Sequence, residues 1–266
     1  HAFAVYDCMD DFSGFHGGSR RIEETETSIA RRVDLVFAVS QPLFERLKCQ
    51  ARCVRMAPNG VEMENFRSPK AAAERPQDLP SGRPLIGFHG TVGAWVDLDL
   101  VRAIALTRPH WRLVIIGPVT KKIRQPRLPS NVFLLGSKSH YRIPAYLSHL
   151  DVGIIPFAEV PVAYHANPIK AYEYLAAGLP VVSSPIAELG RLKGVRIASG
   201  PAGFIHAIEQ ALGESGSEEL VKERKAVAEE HSWEKTFAGI VDVLAEFGHC
   251  YPLKPAEATV MRSANP

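Results

Sequence analysis

Short apolar runs alternate with helical patterns along most of this sequence, and this alternation constrains the fold more than any other feature. Six such runs follow residue 84, at 85–88, 113–116, 132–135, 152–155, 180–182 and 195–197. Helical patterns come after several of them, at 98–106, 144–150, 168–177 and 203–212. Short, wholly apolar strands that alternate with helices indicate a parallel sheet covered on both faces. We therefore predict a doubly wound, Rossmann-like α/β domain over residues 85–230.

The first part of the chain carries the same signals over a shorter length. Two strands and two helices are predicted there, at 2–6 and 35–39 and at 20–32 and 41–48 respectively. Residues 53–56 lead into a strong turn signal at Asn59-Gly60. Because only two or three strands are visible, we interpret residues 1–66 as a partial N-terminal Rossmann-like domain whose first portion is missing.

The segments that flank the predicted second domain have a different composition. Residues 67–84 contain four prolines and no apolar period, which predicts a linker between two domains. At the other end, Ser232 is placed to cap a final helix over 231–248, and the apolar residues of that helix need a surface to lie on. The tail, 249–266, is predicted to be loose.

Length and charge exclude several classes of protein. At about 150 residues per domain, 266 residues favour two lobes. Apolar residues make up 46% and charged residues 23% of the chain, as in ordinary folded proteins. The 31 basic and 29 acidic residues give a net charge of +2, which is too balanced for the broad positive field of a non-specific nucleic-acid binder. Nucleic acid is therefore not an expected partner.

Cysteine content and hydropathy bear on the cellular location. The four cysteines, Cys8, Cys49, Cys53 and Cys250, are too few for a disulfide scaffold, which favours a reducing compartment. No run approaches the roughly 20 apolar residues that a membrane span needs. We expect a cytoplasmic protein, with peripheral association at the inner face of the membrane left open.

Ligands of open parallel sheets bind beyond the carboxyl ends of the strands, so the residues that follow each predicted strand are candidates for a site. Small residues recur at these positions: His89-Gly90-Thr91, Gly117-Pro118, Gly136-Ser137, Pro156-Phe157 and Ser183-Ser184. Glycines there would let backbone N–H groups approach phosphate oxygens, or would simply turn the chain. The glycines at 87, 90 and 93 do not form the G-x-G-x-x-G fingerprint of dinucleotide-binding enzymes.

The segment 167–184, NPIKAYEYLAAGLPVVSS, has the most specific pattern. Asn167 is placed to cap a helix whose first residue is Pro168. Lys170 and Glu173 are three residues apart and share a helix face. That face lies near the carboxyl ends of the predicted strands, which we call the ligand edge of the sheet. A carboxylate there can accept two ribose hydroxyls, and an ammonium group can meet phosphate. The alternative interpretation is a solvated Lys–Glu pair on the helix surface.

Four segments together resemble the group 1 glycosyl transferases of the GT-B fold: YDCMDDF, DLVFAVS with PNGVEMENF, IGFHGTVGAWVDLDL with VIIGP, and NPIKAYEYLAAGLPVV. The resemblance implies two Rossmann-like domains and transfer of a sugar from a nucleotide donor, with retention at the anomeric carbon. It implies that Glu173 binds the donor ribose and that the Gly90-Thr91 loop, with Gly117 nearby, lies against the donor phosphates. It also implies that the helix over 231–247 crosses back onto the N-terminal domain.

The sequence departs from that family at two positions. His165 stands where many members have a first glutamate, near the donor sugar. Val92, Gly93 and Ala94 stand where many have an arginine that clamps the diphosphate. Three alternatives could supply the missing cation: Lys170, Lys138, or the cluster of Lys121, Lys122 and Arg124.

Candidate groups for chemistry on the acceptor side come from the first lobe. Asp7, Asp10 and Asp11 are predicted to lie just after the first strand, where they could position an acceptor, act as a base or cap a loop. His16 is a weaker candidate.

Two further residues follow the glycine loop, and both have two interpretations. Trp95 and Asp97, together with His89, could face the cleft and help hold the donor. Asp97 could instead cap the helix that follows it.

The sequence thus predicts a glycosyltransferase that uses a UDP- or GDP-linked sugar and a polysaccharide or lipid-linked acceptor, with no metal or cofactor required. Two other functions remain open at this point. A nucleotide-sugar epimerase would bind the same donor but would need acid and base groups around the sugar. A non-catalytic nucleotide-sugar-binding module would fit a chain without the first glutamate.

Overall fold

The computed structural model describes residues 3–15, 19–66, 74–120, 126–214 and 216–247. A small sheet comes first, with strands β1 (Val5–Cys8), β2 (Leu35–Ala38) and β3 (Val54–Met56). They are parallel and lie in the order β1-β2-β3. Their helices are α1 (Phe12–Phe15), α2 (Arg20–Arg32) and α3 (Gln41–Leu47). The predicted helix over 20–32 is confirmed with these bounds.

The second sheet is larger. Its strands are β4 (Leu85–His89), β5 (Arg112–Ile116), β6 (Val132–Leu134), β7 (Val152–Ile155), β8 (Val181–Ser183) and β9 (Val195–Ile197). They are parallel and lie in the order β6-β5-β4-β7-β8-β9. From β4 the chain adds β5 and β6 on one side and then β7, β8 and β9 on the other side. This reversal of strand order is the arrangement of a doubly wound domain. The predicted α/β fold with two Rossmann-like parallel sheets is confirmed.

Helices cover both faces of the larger sheet and continue beyond it. They are α4 (Leu98–Thr107), α5 (Ile143–Leu147), α6 (Pro161–Tyr164), α7 (Ile169–Ala176), α8 (Gly200–Leu212), α9 (Glu218–Glu229) and α10 (Trp233–Glu246). Short 3-10 helices occupy Met63–Phe66, His140–Arg142 and Leu189–Arg191. Within the described residues, no helix combines the length and apolar composition needed to cross a bilayer.

The core explains why the apolar runs became strands. All five residues of β4 and all four of β7 are buried, because helices pack on both faces of these central strands. Under the sheet, the buried Tyr174 of α7 holds two strands together: its hydroxyl accepts the His89 N–H at 3.0 Å and lies 3.4 Å from the Ile154 carbonyl. This side chain fixes α7 against β4 and β7.

The segment between the two sheets packs against the larger one. We call the described residues up to Gly60 the small lobe and residues 74–230 the large lobe. Val61 and Phe66 pack in the core of the large lobe. Of the predicted linker, residues 67–73 lie outside the described residues, and in the remainder Leu79 packs into the same core.

The final helix touches the small lobe. Ser232 caps α10, since its hydroxyl accepts the Lys235 N–H at 3.4 Å. At the far end, the Phe247 ring lies 5.4 Å from that of Phe3, and Arg55 lies 3.5 Å from Glu246. The predicted tail, 249–266, lies outside the described residues, as does Cys250.

Several predicted boundaries were wrong. Strand β1 begins at Val5 and includes Asp7, so Asp7 does not follow the strand. His89 likewise ends β4 instead of opening the loop. Helix α7 begins at Ile169 with Pro168 in the cap position, so Asn167 is not the cap. The helix predicted over 144–150 is α5, which ends at Leu147.

Candidate functional site

A cavity of about 290 Å³ lies between the two lobes, at the carboxyl ends of both sheets. The small lobe contributes Met9, Asp10 and Asn59 to its lining. The large lobe contributes residues from the loops after β4 and β7 and from the start of α7, among them Thr91, Trp95, Phe157, Asn167 and Lys170. We call this space the interlobe cavity. It combines two aromatic side chains with hydroxyl, amide and charged groups, which suits a polar ligand with apolar faces, such as a sugar.

Glu173 lies in the second turn of α7 and is 5% exposed, so it is not the solvated surface residue of the alternative interpretation. Its Oε2 lies 3.1 Å from His89 Nε2, and its Oε1 lies 3.8 Å from His140 Nδ1. Burial by itself raises the pKa of this carboxyl, but His89, His140 and Lys170 together lower its pKa below the ordinary value. Glu173 is therefore a fixed, ionised acceptor at the ligand edge.

Lys170 lies in the first turn of α7, beside the end of β4. Its Nζ is 5.4 Å from the centre of the Phe157 ring and 5.8 Å from that of Phe88. Burial lowers the pKa of Lys170, against the opposing effect of the Glu173 and Asp10 carboxylates. An anion that entered the interlobe cavity would favour the charged form of this ammonium group.

The glycine loop touches this lysine. Gly90 has φ +121°, a conformation that side chains rarely adopt, and a Cβ placed on it would lie 3.0 Å from Lys170 Cε. Gly117 has φ +149°, and a Cβ there would lie 2.1 Å from the Gly90 carbonyl oxygen. The loops after β4 and β5 thus approach so closely that both positions require glycine. The N–H groups of both glycines are already engaged, since Gly90 donates to the Ile116 carbonyl at 2.8 Å and Gly117 donates to the Gly136 carbonyl at 2.9 Å. The two glycines therefore serve the close approach of the loops and do not themselves supply donors to a ligand.

Asp10 and Asp11 follow β1 and face the large lobe. Asp10 lines the interlobe cavity, and burial raises its pKa. Asp11 is 3% exposed and its Oδ2 lies 2.7 Å from His165 Nδ1, so the predicted residues Asp11 and His165 meet across the lobes. Burial raises the pKa of Asp11, but the hydrogen bonds with His165 and Ser13 lower it overall. His16 lies outside the described residues.

Trp95 and Asp97 occupy different positions, although they are close in sequence. Trp95 lines the interlobe cavity. Asp97 is the cap of α4, where its Oδ1 accepts the Leu100 N–H at 2.8 Å. It also borders a second cavity of about 460 Å³, beside β8 and the start of α8. The capping interpretation of Asp97 is therefore supported by a specific hydrogen bond.

We expect Asp97→Ala to destabilise the chain by about 1 kcal/mol, the usual cost of a lost helix cap. Nucleotide affinity and transfer rate should not change, because the side chain is engaged by the Leu100 N–H. Thermal unfolding, calorimetry with UDP and a transfer assay on the same preparation test this. A variant with unchanged melting temperature and reduced turnover would instead make Asp97 a donor contact.

The structure separates the proposed cations. Lys138 is engaged by Asp78 of the linker, with Nζ 2.7 Å from Oδ2, and is turned to that partner. Lys121, Lys122 and Arg124 lie outside the described residues. Of the two suggested cations that the structure describes, Lys138 and Lys170, it is Lys170 that lines the interlobe cavity.

Several polar residues at the site were not predicted from the sequence. His140 reaches Glu173 from the segment after β6. Ser40 and Asn59 bond to the segment before α7, with distances of 2.7 Å to the His165 and Asn167 carbonyls. The Asn59-Gly60 pair was interpreted only as a turn. Ser40 follows β2 at the ligand edge, and this position could have indicated a contact with the other lobe or with a ligand.

Two Rossmann-like sheets whose carboxyl ends meet at a cleft between two lobes define the GT-B class of fold. Solved structures share this fold at low sequence identity. Sucrose-phosphate synthase from Thermosynechococcus elongatus has a TM-score of 0.73 at 18% identity, over 92% of this chain and 67% of that protein. Anabaena Alr3699/HepE, solved with UDP and glucose, has a TM-score of 0.69 at 16% identity, over 91% of this chain and 71% of that protein.

Sequence comparison narrows the class. The family model described as "Glycosyl transferases group 1" matches residues 83–214, so this part of the chain is similar to that family. The chain is also 28% identical over 262 residues to TuaH of Bacillus subtilis (strain 168), named for a glycosyltransferase role in teichuronic acid biosynthesis. That match covers 89% of this chain and 65% of the relative, so the chain spans somewhat less than two thirds of the length of TuaH.

Proposed function

We propose that this protein transfers a sugar from a nucleotide-sugar donor to a hydroxyl group of a glycan or lipid-linked acceptor. One observation carries the proposal: the Gly90 loop, the Lys170 ammonium group and the buried Glu173 carboxylate lie together at the ligand edge of the large sheet, beside the interlobe cavity. The match of residues 83–214 to group 1 glycosyl transferases supports it.

In this proposal the donor lies along the edge of the large sheet. Glu173 accepts hydrogen bonds from the two ribose hydroxyls, and His89 keeps its carboxylate in place from below. The diphosphate lies against the loops at Gly90, Thr91 and Gly117, beside the Lys170 ammonium group. The nucleotide is UDP or GDP, and the UDP bound to Anabaena Alr3699/HepE favours UDP.

The donor sugar and the acceptor hydroxyl meet in the interlobe cavity. Trp95 offers an aromatic face to the sugar ring, while Asp10 reaches the cavity from the opposite lobe. Because burial raises the pKa of Asp10, this carboxylate is a better proton acceptor than a solvated one. Asp11 holds the His165 ring by Nδ1, which makes His165 the second candidate to contact a sugar hydroxyl.

Transfer breaks the bond between the anomeric carbon and the diphosphate oxygen, and it forms a bond to the acceptor oxygen. The acceptor proton leaves for Asp10 or the departing phosphate. Negative charge grows on the diphosphate during this step, and the Lys170 ammonium group stabilises it. No metal or cofactor takes part in the proposal. Retention at the anomeric carbon follows from the family resemblance.

The likeness to TuaH, which is named for teichuronic acid biosynthesis, favours a bacterial polysaccharide as the product. The donor is cytoplasmic in this proposal, and a lipid-linked acceptor would bring the protein to the inner face of the membrane.

UDP release in the presence and absence of acceptors tests the proposed reaction. Purified protein is incubated with UDP-glucose and with GDP-mannose, each with and without a cell-envelope glycan or lipid extract. We expect nucleotide release to rise at least about tenfold with acceptor, because a transferase needs an acceptor to turn over, and we expect Lys170→Met to abolish the rise.

The other functions give different results in the same assay. Conversion of the donor sugar without nucleotide release would identify an epimerase. Nucleotide-sugar binding without conversion or release under any condition would identify a binding module.

A further inference from the structure

The small lobe holds His165 to Asn167, which come just before Pro168, the cap residue of α7. Ser40 Oγ donates to the His165 carbonyl at 2.7 Å, and Asn59 Nδ2 donates to the Asn167 carbonyl at 2.7 Å. Asn167 Nδ2 in turn donates to the Val39 carbonyl at 2.9 Å. We call residues 165–167 the pre-helix segment.

All three strands of the small sheet take part in this contact. Asp11, which bonds the His165 ring, follows β1; Val39 and Ser40 follow β2; Asn59 follows β3. The carboxyl ends of parallel strands are where such sheets hold their ligands. In this protein the small sheet uses that edge to hold a segment of its own large lobe.

These bonds are strong enough to fix the segment. Ser40 is fully buried and Asn167 is 5% exposed, so water cannot readily replace a lost partner. A buried carbonyl without a donor costs more than an exposed one, because its desolvation is not compensated. The pre-helix segment is therefore expected to follow the small lobe when the lobes move.

Helix α7 is fixed at two points that belong to different lobes. Tyr174 ties its second half to β4 and β7 of the large sheet. The pre-helix segment ties its beginning to the small lobe, and Lys170 lies only three residues after Asn167. A change at the small lobe would thus displace the first turn, with Lys170, more than the second turn, with Glu173.

We propose that Ser40 and Asn59 are positioning residues that set the first turn of α7, so that the small lobe controls the placement of Lys170 against the donor diphosphate. This inference rests on the proposed function. It separates the two parts of donor binding: the ribose contact of Glu173 depends on the large lobe, whereas the phosphate contact of Lys170 depends on both lobes.

The preference for UDP over UMP measures the contact with the second phosphate alone, because both nucleotides carry the same ribose and the same first phosphate. Ser40 does not line the interlobe cavity, so Ser40→Ala changes no ligand contact. We expect this variant to reduce the ratio of UDP affinity to UMP affinity about fivefold, the effect of one hydrogen bond of ordinary strength, with UMP affinity unchanged. Calorimetry supplies both affinities, and amide hydrogen exchange over 169–173 should become faster.

Ser148→Ala is the matched control. Ser148 is buried to a similar extent, and its Oγ donates to the Ala145 carbonyl at 2.8 Å, within the large lobe. It should keep the UDP to UMP ratio of the unmodified protein. Lys170→Met should bind UDP and UMP with nearly equal affinity. This variant shows how large the effect is when the Lys170 contact is lost completely.

The outcomes separate this inference from the proposed function. If the unmodified protein binds neither UDP nor GDP, the proposed function fails; if it binds GDP alone, the ratio of GDP to GMP affinity takes the place of the ratio of UDP to UMP affinity. If it prefers UDP and Ser40→Ala keeps the full preference at unchanged α7 exchange, the positioning role is wrong and Ser40 only joins the lobes. Should Ser40→Ala not fold, Asp11→Asn weakens the same segment through the His165 ring and is expected to reduce the ratio in the same direction.

Discussion

Gly90→Val is expected to lower UDP affinity more than about a hundredfold. The backbone at Gly90 has φ +121°, a conformation in which a β-branched residue is strained, so the loop has to shift away from its position at the ligand edge. The new side chain would also press on Lys170, since even a Cβ lies 3.0 Å from its Cε. Displacing the Lys170 ammonium group, a charged hydrogen-bond donor to the phosphate, costs about a further 1.5–3 kcal/mol of binding free energy. Calorimetry with UDP measures the loss, and far-UV circular dichroism shows whether the fold persists.

Gly216→Ala separates backbone strain from loss of the site. Gly216 also has positive φ, +89°, but nothing lies within 4 Å of a Cβ placed there, and it stands between α8 and α9, away from the ligand edge. This variant should lose a little stability and bind UDP normally. If Gly90→Val is folded and binds UDP as tightly as the unmodified protein, the glycine loop is only a turn.

The large sheet could be predicted because its strands are buried on both faces. A strand such as β7, VGII, has no solvent-facing positions, so it stands out as an apolar run between polar loops. The ends of the strands were predicted less accurately, because hydrogen bonding to the neighbouring strands decides where a strand ends. Asp7 belongs to β1 since it pairs with Phe37 of β2, and the polarity of an aspartate gives no sign of that partner.

The start of α7 shows what a single sequence cannot supply. Asn167 before a proline is a typical helix-start signal, and the local rule predicts a cap. The Asn167 side chain instead bonds Val39, a residue 128 positions away, and Asn59 bonds back to Asn167. Long-range bonds of this kind outweigh a local preference because they satisfy buried groups of the chain between the lobes.

The candidate site was predictable in its residue types and less so in its partners. Helical spacing placed Lys170 and Glu173 near the ligand edge, where the structure has them. The partner of Glu173 is His89, 84 residues earlier, which only the pairing of β4 with its neighbours brings into place. Lys138 was predicted as a candidate to bind phosphate, but in the structure it pairs with Asp78 of the linker. The sequence around Lys138 gives no sign of this distant partner.

Glu173→Gln is expected to weaken UDP binding by about 1.5–3 kcal/mol, which is about ten- to one-hundred-and-fifty-fold in affinity. The amide keeps the shape of the side chain but removes the charge and one of the two acceptor oxygens that the ribose hydroxyls need. Uridine should lose affinity by a similar factor, because the ribose carries the effect, whereas the ratio of UDP to UMP affinity should stay the same. Calorimetry with uridine, UMP and UDP gives all three values.

Asp151→Asn is the control for removing a buried carboxylate from this sheet. Asp151 pairs with Arg83 and accepts the Leu85 N–H at 2.7 Å, at the amino ends of β4 and β7, opposite the ligand edge. Its loss should lower the melting temperature and leave every nucleotide affinity unchanged. If Glu173→Gln is folded and binds uridine and UDP with the affinity of the unmodified protein, Glu173 does not hold the ribose. Its carboxylate would then serve only to keep His89 and the first two turns of α7 in place beneath the cleft.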